Sequence, residues 1–110
     1  MKFSHVGIPT TETKENENYL EGAKLFVTDF ATCDYAIEFL RFEDDSPMPD
    51  LLKTTAHVAF EVEDMTAALE GKEVLIPPFE PMEGVQVAFI VDNGAPVEFM
   101  QVSTPGEGGY

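Results

Sequence analysis

The sequence predicts an α+β fold made of two tandem βαβββ modules, the first with its helix shortened or lost. Two repeated phrases indicate this arrangement. A strand-like phrase with a histidine occurs as Ser-His-Val-Gly-Ile around His5 and again as Ala-His-Val-Ala-Phe around His57. A second phrase closes each half, as Ile-Glu-Phe-Leu around Glu38 and as Val-Glu-Phe-Met around Glu98. Matching phrases in the same order are what a tandem duplication produces.

The first half is predicted to be mostly strand. Alternating apolar residues predict a strand at Lys2–Ile8, which Pro9 ends because proline cannot extend a central ladder. Residues 10–18 are polar and lack an apolar face, so they are predicted to form a loop or a frayed turn of helix where the module's helix would otherwise lie. Further strands are predicted at 19–20, at 24–27 and at Asp34–Phe42, whose two faces are both largely apolar.

The second half follows an acidic segment with two prolines, residues 43–50, which has the composition of a linker. We therefore predict a single domain made of a module at 1–44 and a module at 54–102, with a linker at 45–53 and a flexible tail at 103–110. After the His57 strand, Asp64 is placed to cap a helix of about two turns that Gly71 ends.

Three strands are predicted to complete the second module. The first, Glu73–Ile76, is expected to stop at Pro77-Pro78, and residues 79–84 are expected to form a turn. Val85–Val91 forms the next strand, and Asp92-Asn93-Gly94 is a hairpin signal that leads into Pro96–Val102.

Composition and charge exclude several classes of partner. The chain has 110 residues, 44% of them hydrophobic, and a net charge of −15 from 21 acidic and six basic side chains. Nucleic acid is excluded as a partner because its binding depends on Lys and Arg, and acidic membrane surfaces are disfavoured for the same reason. Cys33 is the only cysteine, so a catalytic thiol is a weaker interpretation than a packed residue. With no apolar leader or span visible, we expect a cytoplasmic protein.

The repeated His and Glu residues predict a metal site. A lone ionised carboxylate flanked by apolar residues costs several kcal/mol to bury unless it is paired or metal-bound. Two glutamates, two neutral histidines and one divalent cation sum to zero charge. A mixed nitrogen and oxygen set suits a divalent transition metal, Ni, Co, Mn, Fe or Zn, better than Ca or Mg. Glu61 is an alternative ligand, because alternation puts it on the same strand face as His57.

These phrases resemble the vicinal oxygen chelate superfamily, which includes glyoxalase I, bleomycin-resistance proteins and extradiol dioxygenases. The resemblance covers the chain to about Gln101 and is strongest from His57 through Asp64-Met65 to Val-Glu-Phe-Met-Gln. It implies two glyoxalase-like βαβββ modules around a metal. Carried over position by position, it implies a set of metal ligands: His5, Glu38, His57 and Glu98. By analogy with glyoxalase I, Glu98 or Glu38 would also act as the catalytic base.

The resemblance leaves two functions open, and a third interpretation is that the four ligands form a vestigial or structural metal site. One is a metal-dependent lyase or isomerase acting on a small oxygen-chelating substrate, an α-hydroxycarbonyl or an α-oxoaldehyde adduct. The other is a non-catalytic small-molecule binding protein of the bleomycin-resistance type, with strand aromatics lining a cleft: Tyr35, Phe39, Phe42, Phe60, Phe89 and Phe99. Arg41 is the only arginine, which argues against anionic glutathione or coenzyme A as a cofactor. A homodimer is expected by resemblance, with the site either within one chain or between two.

Overall fold

The computed structural model describes residues 1–103 as one eight-stranded curled sheet with two short α-helices. The strand order across the sheet is β2-β3-β4-β1-β5-β8-β7-β6. The strands and helices, in chain order, are β1 Lys2–Pro9, β2 Asn18–Leu20, β3 Leu25–Val27, β4 Ile37–Phe42, α1 Asp50–Thr54, β5 His57–Glu61, α2 Met65–Leu69, β6 Glu73–Met82, β7 Val85–Asp92 and β8 Ala95–Val102.

The four central strands form two parallel pairs that run in opposite directions. β1 pairs parallel with β4, β5 pairs parallel with β8, and β1 and β5 join the two pairs in an antiparallel ladder. Each half of the sheet therefore places its first strand beside its last, with the two remaining strands outside them. The mixed α+β prediction is confirmed at this level.

The sheet has two faces with different coverings. The inner face carries His57 and Ala59, and its apolar cluster includes Phe30 from a short 3₁₀ turn and Leu52 from α1. The outer face carries Phe99, which packs with Met65 of α2. Both faces of the central strands are thus apolar, which explains why their sequences read as nearly continuous hydrophobic runs.

Several local predictions are confirmed. The side chain of Asp64 accepts a hydrogen bond from the amide of Ala67 and caps α2, and Gly71 has a positive φ of 73° after the helix end. Asn93 and Gly94 both have positive φ values, 50° and 81°, as the hairpin turn requires. Residues 10–18 contain no helix, as expected from their polar sequence.

Other local predictions are wrong. β6 does not stop at Pro77-Pro78 but continues to Met82, with shifts in register against β7. It can do so because it lies at the edge of the sheet, where a missing amide hydrogen costs no ladder bond. β4 begins at Ile37 rather than Asp34, because Ala36 takes a positive φ of 53° in a turn.

Two further points concern the linker and the tail. Helix α1 overlaps the predicted linker, and the sequence pattern gave no sign of it. The predicted flexible tail, from residue 104 on, lies outside the described residues. Within residues 1–103 the two α-helices have five residues each, far short of the roughly 20 that cross a bilayer.

Candidate metal centre

The sheet register brings the two repeated His and Glu residues together from opposite halves. Glu38 on β4 lies beside Gly7 on β1, and Gly7 lies beside His57 on β5. In the same way, Glu98 on β8 lies beside Ala59, and Ala59 lies beside His5. Each row across the sheet therefore consists of a glutamate, a small residue and the histidine of the other half.

The four side chains form one compact buried cluster within a single chain. One potential ligand atom from each lies within 4.8 Å of all the others. His5, Glu38 and Glu98 are 0% exposed and His57 is 2% exposed. The Nε2 atoms of His57 and His5 lie 3.0 Å and 3.3 Å from Oε1 of Glu98. Nε2 of His5 lies 3.7 Å from Oε1 of Glu38.

The small residue in one of the rows is a steric requirement. A Cβ atom added to Gly7 would lie 2.1 Å from Cε1 and 2.4 Å from Nε2 of His57. The imidazole ring therefore lies directly against the backbone of β1. The position explains a glycine in a central strand, where it otherwise weakens the sheet.

Neighbouring side chains fix the two imidazole rings. Nδ1 of His5 lies 2.9 Å from Oγ of Ser4, and the ring stacks on Phe30 with centroids 3.9 Å apart. The ring of His57 meets Phe89 edge to face, with centroids 5.1 Å apart. With a metal ion bound, a hydrogen bond from Nδ1–H of His5 to the serine hydroxyl would leave the lone pair of Nε2 free for the ion, as a metal ligand needs.

The two buried carboxylates differ in their electrostatics. Burial by itself raises the pKa of Glu98, but hydrogen bonds with His5 and His57, and the charge on those rings, bring it down to about 2. Burial raises the pKa of Glu38 well above its usual value, and the negative charge of Glu98 adds to that rise. Neither oxygen of Glu38 has a hydrogen-bond partner among the described residues.

The cluster fits a divalent metal ion. Donor atoms bound at about 2.0–2.2 Å to one ion lie roughly 3–4 Å from one another, which is the range of the three measured separations. A cation would also supply the partner that the Glu38 carboxylate lacks and offset the repulsion between the two acids. These residues could hold a metal ion; the type of metal stays a prediction.

One groove lies on the outer face of the sheet, and another lies on the inner side between its two edge strands. The larger, about 910 Å³, is lined by Phe60, Val97 and Phe99 on the outer face, away from the cluster. The smaller, about 460 Å³, lies on the inner side between β6 and the turn after β2, and its lining includes Met48 and Phe79. The inner groove is on the same side of the sheet as the cluster, although none of the four clustered residues lines it.

The other residues singled out in the sequence lie away from the cluster. Glu61, the alternative ligand, is not among the four clustered residues and lines the outer groove. Arg41 donates two hydrogen bonds to the carboxylate of Glu17, at 2.9 Å and 2.7 Å. Cys33 is a partly exposed free thiol in the loop before β4.

The aromatic residues predicted to line a cleft are divided between the two faces. Phe89 contacts the site through His57, and Phe42 packs against the inner apolar cluster. Phe60 and Phe99 lie on the outer face, and Tyr35 is 79% exposed.

Sequence reasoning missed three residues that shape the site: Gly7, Ser4 and Phe30. Gly7 had a visible signal, since a glycine inside a strand marks a close approach of another group. Ser4 was visible only as a neighbour of His5. Phe30 had no signal, because its place over His5 depends on how the β3–β4 loop folds back.

Comparisons with known proteins show the fold. No protein-family model matches the chain, and no curated protein matches it. The chain is similar to the crystal structure of the hypothetical protein BH1468 from Bacillus halodurans C-125, with a TM-score of 0.71 over 97% of this chain and 98% of that chain. The sequence identity is 18%, so this likeness shows a shared fold alone.

Proposed function

We propose that the chain is a metal-dependent lyase or isomerase of the glyoxalase-like type, acting on a small oxygen-chelating substrate. One observation carries this proposal: two histidines and two glutamates from opposite halves converge in a buried cluster that could hold a metal ion. The proposal includes the vicinal oxygen chelate family and two tandem βαβββ repeats, the first without its helix. The matching strand order of the two halves supports it.

The chain's own residues suggest how a proton would move. A divalent metal ion in the cluster would polarise adjacent substrate oxygens and stabilise an enolate. Glu98 lies within 3.3 Å of both imidazole rings, whereas neither oxygen of Glu38 has a hydrogen-bond partner among the described residues. We therefore assign the proton transfer to Glu38, with Glu98 as the second candidate base.

A second function is favoured by how completely the cluster is covered. Phe30 stacks on His5, and Leu52 of α1, 2% exposed, belongs to the apolar cluster on the same face. A sealed apolar site suits a protein that sequesters a small molecule, as in the bleomycin-resistance type. In that case the histidines and glutamates would bind a metal without turnover.

The deciding experiment measures metal and turnover on the same samples. Protein purified without chelator is expected to carry close to one transition-metal ion per chain, and to lose it in Glu98→Gln. Glu61→Gln is the matched control, since Glu61 lies outside the cluster, and it should keep both metal and activity. Activity on a panel of α-oxoaldehyde adducts that disappears on chelation supports the lyase or isomerase.

Two results would contradict the proposal. Equal metal content in the wild type, Glu98→Gln and Glu61→Gln would show that the cluster does not bind the metal. Metal that is present in the cluster with no turnover, together with tight binding of an apolar ligand, would favour the sequestering protein.

We also propose a homodimer. Within the described residues no α-helix of the first half covers its outer face, where Phe3 is 51% exposed, and Val58 on the adjoining strand β5 is 37% exposed. A second copy of the chain would cover this surface. Light scattering at micromolar concentration tests it: Phe3→Glu is expected to give monomers, and a monomeric wild type would refute it.

A further inference from the structure

The inner groove is apolar and open to solvent. Its volume is about 460 Å³, the size of a small-molecule site. One wall is formed by Leu20 and Gly22, and the other by Phe79 and Pro81 of β6, with Met48 also lining it. Gly22 faces open space, since a Cβ atom built there meets nothing within 4 Å.

A small apolar cavity lies beneath this groove, and none of the four cluster residues lines it. Its volume is about 20 Å³, and it shares lining residues with the groove, among them Leu20, Met48 and Phe79. On its inner side it is lined by Phe89, whose ring meets the edge of His57. Phe89 therefore lies between this cavity and His57.

The charge around the groove selects for a type of ligand. Glu21 and Glu80 are the charged residues in its lining, and both are exposed. The basic side chains are engaged elsewhere: Arg41 with Glu17, Lys24 with Asp45, and Lys53 with the carbonyl of Ser46.

The three remaining lysines are also away from the groove. Lys14 lies over the ring of Phe39, and Lys2 and Lys72 line the outer groove. An anionic ligand would therefore meet two carboxylates at the inner groove and no cation from the described residues.

We propose that the inner groove binds the apolar body of a small ligand that is neutral or cationic, with its oxygen-bearing end toward the cluster past Phe89. The ligand class excludes anionic thiol cofactors and acyl-coenzyme A esters. The orientation of the ligand's oxygen-bearing end depends on the proposed function. The assignment of an apolar, non-anionic body depends on the groove alone.

The first test compares a neutral and an anionic form of one fluorescent probe. N-phenyl-1-naphthylamine is uncharged, and 8-anilino-1-naphthalenesulfonate is its sulfonated analogue. The wild type is expected to bind the neutral probe at least about tenfold more tightly than the sulfonated one. Gly22→Trp fills the groove and should lower the affinity for the neutral probe by at least about tenfold. Gly22→Ala should change that affinity by less than about twofold.

The second test reverses the charge at the mouth. Glu21→Lys/Glu80→Lys alters two exposed positions and is expected to bring the sulfonated probe to parity with the neutral one, at low salt. Unaltered circular dichroism identifies folded protein. Should Gly22→Trp not fold, this double variant decides the matter.

The outcomes separate this inference from the metal centre. Equal binding of the two probes by the wild type, or no loss in folded Gly22→Trp, overturns the groove assignment even if metal is bound. If Glu98→Gln loses its metal but binds the neutral probe as the wild type does, the groove assignment stands. No detectable binding of the neutral probe also overturns it, whatever the metal content.

Discussion

The two halves of the sheet place the same pair of residues with very different amounts of structure. In the first half, β2 and β3 have three residues each and no α-helix lies between β1 and β2. In the second half, β6, β7 and β8 have ten, eight and eight residues, and α2 packs on the outer face. Each half nevertheless supplies one buried histidine and one buried glutamate.

The comparison shows which part of the architecture the site depends on. The register between β1 and its partners, β4 and β5, and that between β5 and β8 place all four side chains. Since each row pairs the glutamate of one half with the histidine of the other, neither half holds a complete site. The outer strands and the helix are free to differ because they support these central strands without contributing a ligand.

The largest expected effect concerns the two glutamates in metal-free protein, where the halves should respond with opposite sign. Glu98→Gln should lower the free energy of unfolding by about 3 kcal/mol at pH 7, because it removes the charge that pairs with two buried imidazoles. Glu38→Gln should raise it by roughly 1–2 kcal/mol, because an ionised Glu38 is buried without a hydrogen bond and beside the negative charge of Glu98. Urea unfolding of both variants measures this.

The pH dependence gives a control on that result. The pKa of Glu98 is lowered from 4.5 to about 2, so its stabilisation is present above pH 4.5 and is lost as the pH falls toward 2. The pKa of Glu38 is raised above 4.5, so the stability that it contributes is present below pH 4.5 and is lost as the pH rises through its folded pKa. The increase in the free energy of unfolding that Glu38→Gln causes at pH 7 should therefore disappear below pH 4.5. The same sign for both variants at pH 7 would contradict the assigned asymmetry.

An intermediate effect is expected at the contact between Gly7 in the first half and the His57 ring in the second. Gly7→Ala should destabilise the protein by about 2 kcal/mol and weaken metal binding more than about tenfold, because the new methyl group occupies the space of the His57 ring. Gly22→Ala is the matched control, with open space around the new atom. Metal titration followed by thermal unfolding measures both quantities. Equal metal affinity in the two variants would show that His57 does not need this contact.

The smallest effect concerns the helix that only the second half has. Asp64→Ala removes the cap at the start of α2 and should cost about 1 kcal/mol of stability. Metal affinity should be unchanged, because α2 lies on the outer face. The same substitution at exposed Asp34, in the first half, serves as the control. A loss of metal from Asp64→Ala would mean that the helix helps to position the site after all.

The sequence predicted the convergence of four side chains better than it predicted the elements around them. Repetition of the His and Glu phrases, with few cations to pair the acids, was enough to select His5, Glu38, His57 and Glu98. The contact between Gly7 and His57 was out of reach, because it depends on the register between strands that are far apart in the chain. Helix α1 was missed because its sequence is short and its stability comes from burying Leu52 against the sheet.

The proline-rich strand β6 has a consequence for how the protein behaves when crowded. An open sheet ends in two strands whose unpaired amides can recruit further chains and start aggregation. Here one end is β2, only three residues long, and the other is β6, where Pro77, Pro78 and Pro81 have no amide hydrogen to donate. Each molecule also has a net charge of −15, which adds mutual repulsion. Both edges of the sheet are therefore protected against strand-by-strand polymerisation.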